Sequence, residues 1–152
     1  TWDGGREKAP AAICRKVIEA KETGKHEIVI WGNGEQTRSF MYIDDCVRGI
    51  DLIMHCDDLI ATPVNLGTSE MISINELVTL IERLGGVKLK RRYDLDAPKG
   101  VAGRNSDNTF IRSVLGWEPD TPIRKGLAPT FRWIEQQYPD RKARRHTVRD
   151  FF

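Results

Sequence analysis

The sequence predicts an α/β fold that stops short of a complete doubly wound sheet. Segments with helical apolar spacing alternate with short β-branched runs, the pattern of that class. The strands it offers, about four and all short, are too few to build a doubly wound sheet. No glycine-rich fingerprint follows the first of them.

The first helix is expected over residues 9–22, where Ile13, Val17, Ile18 and Ala20 recur at near-helical spacing among charges and Gly24 supplies a stop. HEIVIW at 26–31 is β-branched and apolar and reads as a strand. Gly32, Asn33 and Gly34 signal a turn, and residues 38–43 read as a second extended segment, so the two runs should form a hairpin-like pair. Asp44 or Asp45 is suited to cap a helix through Val47, Ile50, Leu52, Ile53 and Met54. PVNLG at 63–67 reads as a short buried strand. Ser73 and Glu76 form a capping box ahead of Leu77, Leu80, Ile81 and Leu84, and Gly85 and Gly86 end that helix. Residues 88–93 are the last strand candidate. Residues 97–108, rich in Gly, Asn, Asp and Ser, predict a long loop of the kind that is functional or disordered in compact proteins. A short helix at 110–115 and a last one at 123–138 follow. Pro129 lies inside the latter and should kink it or remove a hydrogen bond.

Composition narrows the function classes. The 152 residues are 39% hydrophobic and 30% charged with a net charge of +2, an ordinary globular balance that fits one domain or part of a larger one. No apolar run approaches the roughly 18 residues of a membrane span, and the first residues carry no signal-peptide pattern. Cys14, Cys46 and Cys56 lack CxxC spacing and His26, His55 and His146 are scattered, so neither a disulfide framework nor a metal site is expected. A reducing, cytoplasmic compartment follows. Residues 139–152 carry a net +3, leaving 19 basic against 20 acidic groups elsewhere. This is a basic tail, expected to be mobile, and not the charge distribution of a nucleic-acid protein.

Three segments could carry chemistry. In Gly4-Gly5-Arg6-Glu7-Lys8-Ala9-Pro10 the lysine stands at a helix start, where the macrodipole disfavours its charge and suits it to proton transfer or phosphate binding. Spacing alone fits a solvated surface lysine as well. Arg38 lies on an extended segment between a glycine turn and an aromatic, where its planar donors could fork onto a diphosphate or simply pair with a carboxylate. Arg104 sits in a loop of small hydrogen-bonding residues, Gly103-Arg104-Asn105-Ser106-Asp107-Asn108, that reads equally as a polar surface. Convergence of the two arginines would suit a nucleoside diphosphate. His55 beside Cys56 fits a helix-end surface pair, and Phe131, Ile134 and Tyr138 fit core.

Together, GNGEQTRSFMYIDD at 32–45, PVNLG at 63–67, the helix from Ser73 and LGWEP at 115–119 resemble the C-terminal half of extended short-chain dehydrogenase/reductase enzymes acting on nucleotide sugars. The resemblance runs from residue 1 to about 138. Within that superfamily, TWDGGREKAPAAICRK at 1–16 and GVAGRNSDN at 100–108 look like the GDP-mannose 3,5-epimerase family.

The resemblance implies an α/β C-terminal substrate-binding part that lacks the N-terminal nucleotide-binding sheet, with residues 44–67 packing on that absent domain. It carries the substrate-binding set onto Glu7, Lys8, Ala9, Lys16, Gln36, Thr37, Arg38 and Arg104, and the catalytic lysine onto Lys8. In the implied reaction, NAD bound mainly by the absent half oxidises carbon 4 of GDP-mannose. A cysteine and the lysine then exchange protons at carbons 5 and 3, and the ketone is reduced again to give GDP-L-galactose. None of Cys14, Cys46 and Cys56 matches the family's cysteine. A homodimer is implied for the full-length enzyme, without nucleic-acid or membrane partners, and the fragment alone would be inactive. The alternatives are a UDP-glucuronate decarboxylase-like or dehydratase-like relative, whose families share the QTRSFxYxDD and PVNLG blocks, and a non-catalytic relic that keeps the fold.

Overall fold

Pro10 in the first turn and a left-handed Gly24 at the end bound helix α1 (Ala9–Thr23) in the computed structural model, which describes residues 2–98 and 100–149 and, from 140 on, backbone alone. The expected face of α1 is buried: Ile13, Cys14, Val17, Ile18 and Ala20. Strand β1 (Glu27–Trp31) follows and turns Ile28 and Ile30 inward.

The hairpin expected from the Gly32–Gly34 turn does not form. Strand β2 is only Thr37–Arg38 and pairs antiparallel with β3 (Ile72–Ser73), whereas β1 lies parallel to β4 (Lys90–Asp94), with Glu27 opposite Lys90 and Trp31 opposite Asp94. The turn is instead sewn to the start of helix α3 (Ile74–Gly85). The Asn75 amide donates to the Gly34 carbonyl at 3.0 Å, and its side chain donates to the Asn33 carbonyl at 3.1 Å and to Glu35 at 2.7 Å. These long-range bonds outcompete a local reversal, and the parallel pair is closed by the crossover between residues 32 and 89. Gly34, at φ 78, also has no room for a side chain: an added Cβ would run into the Asn75 side-chain amide.

Helix α2 (Ile43–Met54) begins one residue before the acids expected to cap it. Tyr42 is its N-cap, and Asp44 and Asp45 lie in the first turn, where the helix dipole favours negative charge. The buried Asp45 carboxylate instead accepts the Thr121 amide and hydroxyl, both at 2.9 Å. A 3₁₀ turn, Asp57–Leu59, was not foreseen. PVNLG at 63–67 forms no strand: no strand among the described residues lies beside it to complete a ladder.

Helix α3 carries the full capping box from Ser73 and Glu76 and ends at Gly86, φ 64, as its sequence dictates. The described residues of 95–108 contain no regular element, and α4 (Thr109–Leu115) leads to α5 (Ile123–Arg149). The last helix is longer than expected and runs through both Pro129 and Pro139, each without an amide to donate. Its first turn is capped from afar: the Ile123 amide donates to Glu70 at 2.8 Å. The basic tail lies outside the described residues from 150 on, as do its side chains from 140. The core is Val17, Ile18, Ile28, Leu77, Val78, Ile81, Phe131 and Ile134, where α1, α3 and α5 meet over β1.

Candidate functional site

Lys8 is the N-cap of α1. Its backbone is extended (φ −74°, ψ 161°), its carbonyl takes the Ala12 amide at 3.0 Å, and its exposed side chain lines a cleft of about 520 Å³. Arg6, Ser39, Phe40, Met41 and Thr130 are the other main walls. Two cations and no carboxylate line this space, so an anion is its natural occupant. A second, apolar hollow of about 190 Å³ shares Pro10, Phe40, Met41 and Thr130 with it and continues toward Tyr42 and Leu127.

Glu7, one residue before, does not face that cleft as a free acid. Its side chain is only 3% exposed, and Oε1 accepts both Arg15 Nε at 3.1 Å and Nη2 at 2.5 Å. Burial pushes the carboxyl up, but its own backbone amide, the Arg15 guanidinium and the Gly5 amide outweigh that and hold it below the ordinary carboxylate value. Oε2 is buried without a hydrogen-bond partner.

The QTR triplet and the 100–108 loop meet through backbone. Thr37 donates to the Ala102 carbonyl at 2.9 Å and Ser39 to the Arg104 carbonyl at 3.2 Å, so the loop runs along the side of β2 away from β3. Gly103 permits the approach, since an added Cβ would sit 2.7 Å from Thr37 Oγ1. Arg38 Nη1 donates to the Thr37 carbonyl at 2.6 Å, and its Nη2 lies beside Gly100, 3.2 Å from where a Cβ would stand. Arg104 is exposed. Gln36 Nε2 donates to the Trp31 carbonyl at 2.9 Å, leaving its buried Oε1 without a partner. The loop's far end is pinned to the PVNLG segment by Asn108 Nδ2 on the Gly67 carbonyl at 2.9 Å.

Sequence reasoning thus selects segments that adjoin: Lys8 shares a cleft with Ser39–Met41, which continue from Arg38, which lies beside the Arg104 loop. Two selected residues stand apart. Lys16 donates to the Val29 carbonyl at 3.0 Å and lines a different hollow beside Glu19 and Glu27; burial first and then the Arg15 charge pull its pKa down, against Glu7. Ala9 packs against the core. Arg6, Arg15, Ser39 and Thr130 were missed. Membership of the REKAP and QTRSF blocks could have flagged Arg6 and Ser39; nothing local marks Arg15 or Thr130. Cys14 is fully buried with its thiol pushed up to about 12 by desolvation, which removes it as a proton carrier. Among the described residues no cluster of metal-ligating side chains occurs and no helix is long and apolar enough to cross a membrane.

These residues do not fit a dinucleotide. Among the described residues β1 turns through Gly32–Gly34 into β2 instead of entering a helix, so it does not form the strand-to-helix turn whose amides cradle a pyrophosphate.

Residues 5–130 match the family model described as GDP-mannose 4,6 dehydratase. GDP-mannose 3,5-epimerase of Arabidopsis thaliana is 43% identical over 144 residues, which cover 95% of this chain and 36% of that relative. The chain therefore spans about a third of the relative's length. Among solved structures, UDP-glucose 4-epimerase of Thermotoga maritima superposes with a TM-score of 0.74 at 26% identity, over 88% of this chain and 41% of the other. A UDP-glucuronic acid 4-epimerase variant of Bacillus cereus, solved with a substrate analogue and NAD, gives 0.73 at 26% identity over 83% and 40%.

Proposed function

The chain belongs to the GDP-mannose 4,6 dehydratase family, and from that premise we propose that it is the substrate-binding part of an NAD-dependent GDP-mannose 3,5-epimerase that converts GDP-mannose to GDP-L-galactose. The observation that carries the reading is the placement of Lys8, in a block matching the family's EKA motif, on a carboxylate-free cleft with Arg6. In this reading Arg38 and Arg104 take the diphosphate, since each guanidinium offers parallel donors to two phosphate oxygens. Gln36, Thr37 and Glu7 form the edge of the nucleotide-sugar site, with Glu7 held from behind by Arg15. Lys16 ties the middle of α1 to β1 and Ala9 packs its first turn on the core, so both support the site from behind.

Epimerisation beside a carbonyl requires one proton to be taken and another returned from the opposite face. Lys8 returns it; the base that removes the first is none of Cys14, Cys46 and Cys56. A nicotinamide cofactor supplies redox chemistry at carbon 4 and is held by other residues of the enzyme. The complete protein acts as a cytoplasmic homodimer, and residues 44–67 lie against its nucleotide-binding domain.

The test is Lys8→Met in the complete enzyme. Epimerisation should be abolished with little change in GDP-mannose affinity, because a proton donor acts mainly in the transition state. Normal solvent-deuterium uptake at carbons 3 and 5 in that variant, read by NMR, would reduce Lys8 to a binding or surface residue.

A further inference from the structure

Resting on the reading of Lys8 as proton donor, we propose that Arg15 is a positioning residue for Lys8, acting through Glu7. Lys8 has no side-chain cap, and the two glycines shortly before it offer little restraint. Gly4 and Gly5 have φ of 100° and 80°, and no atom lies within 4 Å of an added Cβ at either. On its C-terminal side Lys8 is held through its carbonyl by the Ala12 amide; on its N-terminal side the nearest hold is Glu7, whose Oε1 takes two donors from Arg15. Arg15 stands on α1 next to Cys14 and within three residues of Val17 and Ile18, all at 0–1% exposure, so its backbone is fixed by the core. It is steadied further by Glu19, 3.4 Å from Nη1. The clamp therefore joins a rigid helix to the peptide immediately before Lys8.

The pair is a two-point hold and not a single charge contact. Nε and Nη2 of one planar guanidinium both donate to Oε1. Two donors from one rigid plane set the direction of the carboxylate more narrowly than a single ammonium could. Lysine at position 15 would keep the charge and lose the two-point hold.

The experiment compares wild type, Arg15→Lys, Arg15→Gln and Lys8→Met in the holoenzyme, well below the unfolding midpoint of each. Measurements are kcat and KM for GDP-mannose, calorimetric affinity and deuterium uptake. Misplacing a reacting group by about 1 Å can cost roughly a hundredfold, so both Arg15 variants should lose ten- to a hundredfold in kcat, with KM and affinity within about threefold. Arg15→Lys should be the less impaired. Where Arg15→Gln does not fold, Arg15→Lys is read alone by the same criteria. An inactive Lys8→Met beside Arg15 variants within twofold of wild-type kcat overturns the positioning role and leaves the function standing. So does a loss carried by KM. An active Lys8→Met overturns the function itself and the inference with it.

Discussion

At the scale of single residues, the site is built from groups whose local chemistry is set by distant partners. Arg104 has an exposed side chain on a loop whose backbone is fixed to β2, so removing the side chain should leave the loop in place. Losing a hydrogen-bonded charge on a diphosphate costs about 1.5–3 kcal/mol, and Arg104→Ala in the complete enzyme should raise the GDP-mannose dissociation constant roughly tenfold to a hundredfold. An unchanged constant on calorimetric titration would remove the diphosphate role. Glu7 makes a pH prediction. Its carboxyl is held below the ordinary 4.5, so the folded state favours its ionised form. Its contribution to stability is then complete above about 4.5 and disappears as pH falls through the lowered folded value. Unfolding midpoints measured across the acid range should show this slope, and Glu7→Gln should flatten it. Lys8, Arg38 and Arg104 stand out as candidates in the sequence because motif and residue type coincide there. Arg15 does not, since it touches Glu7 only by folding back along two turns of helix.

At the scale of elements, what was legible is what is decided locally. α3 carries its start signal in Ser73 and Glu76 and its stop in Gly86, and α1 its stop in Gly24; their limits therefore fall within a residue or two of expectation. Strand pairing is decided by residues far apart in sequence. The Gly32–Gly34 turn looks like a hairpin, but Asn75 claims it, and β1 finds its partner some sixty residues later. Gly126 in α5 shows two effects in competition. Alanine should gain about 1 kcal/mol in helix propensity over glycine. Its Cβ, however, would lie 2.8–3.0 Å from Tyr42 Cδ2, Cγ and Cβ, atoms near the root of that side chain which cannot swing away. Overpacking of this kind costs about 1–3 kcal/mol. Gly126→Ala should therefore lower stability in denaturant titrations despite the better helix former, and it should disturb the apolar hollow that Gly126 shares with Tyr42 and Phe40. A stabilised variant would mean that α5 and Tyr42 part easily.

At the scale of the whole molecule, α2 is mounted the wrong way round for a surface helix. Its inner side is held by Asp45 on Thr121, by Arg48 5.2 Å over the Trp117 ring and by the close fit of Gly49 to Leu66. Its apolar stripe points outward: Ile43, Val47, Ile50 and Met54, one face at helical spacing, are 61%, 59%, 48% and 76% exposed, and Ile60 beyond them is 73% exposed. The apolar excess of residues 47–66 was legible in the sequence, but the direction in which it faces was not, because that depends on Thr121 and Trp117. Covering one such side chain is worth about 1.5–3 kcal/mol, so a stripe of this size drives association when nothing covers it. Residues 1–152 produced alone should accordingly self-associate at micromolar concentration in light scattering. Val47→Lys with Ile50→Lys should restore a monomer with an unchanged unfolding midpoint, because neither side chain belongs to the core. In the complete enzyme the same pair should instead destabilise, since there the charges would be forced against the nucleotide-binding domain. A sharp monomer of the unmodified chain, or a double variant harmless in both settings, would show that α2 faces water by design and that residues 44–67 dock on nothing.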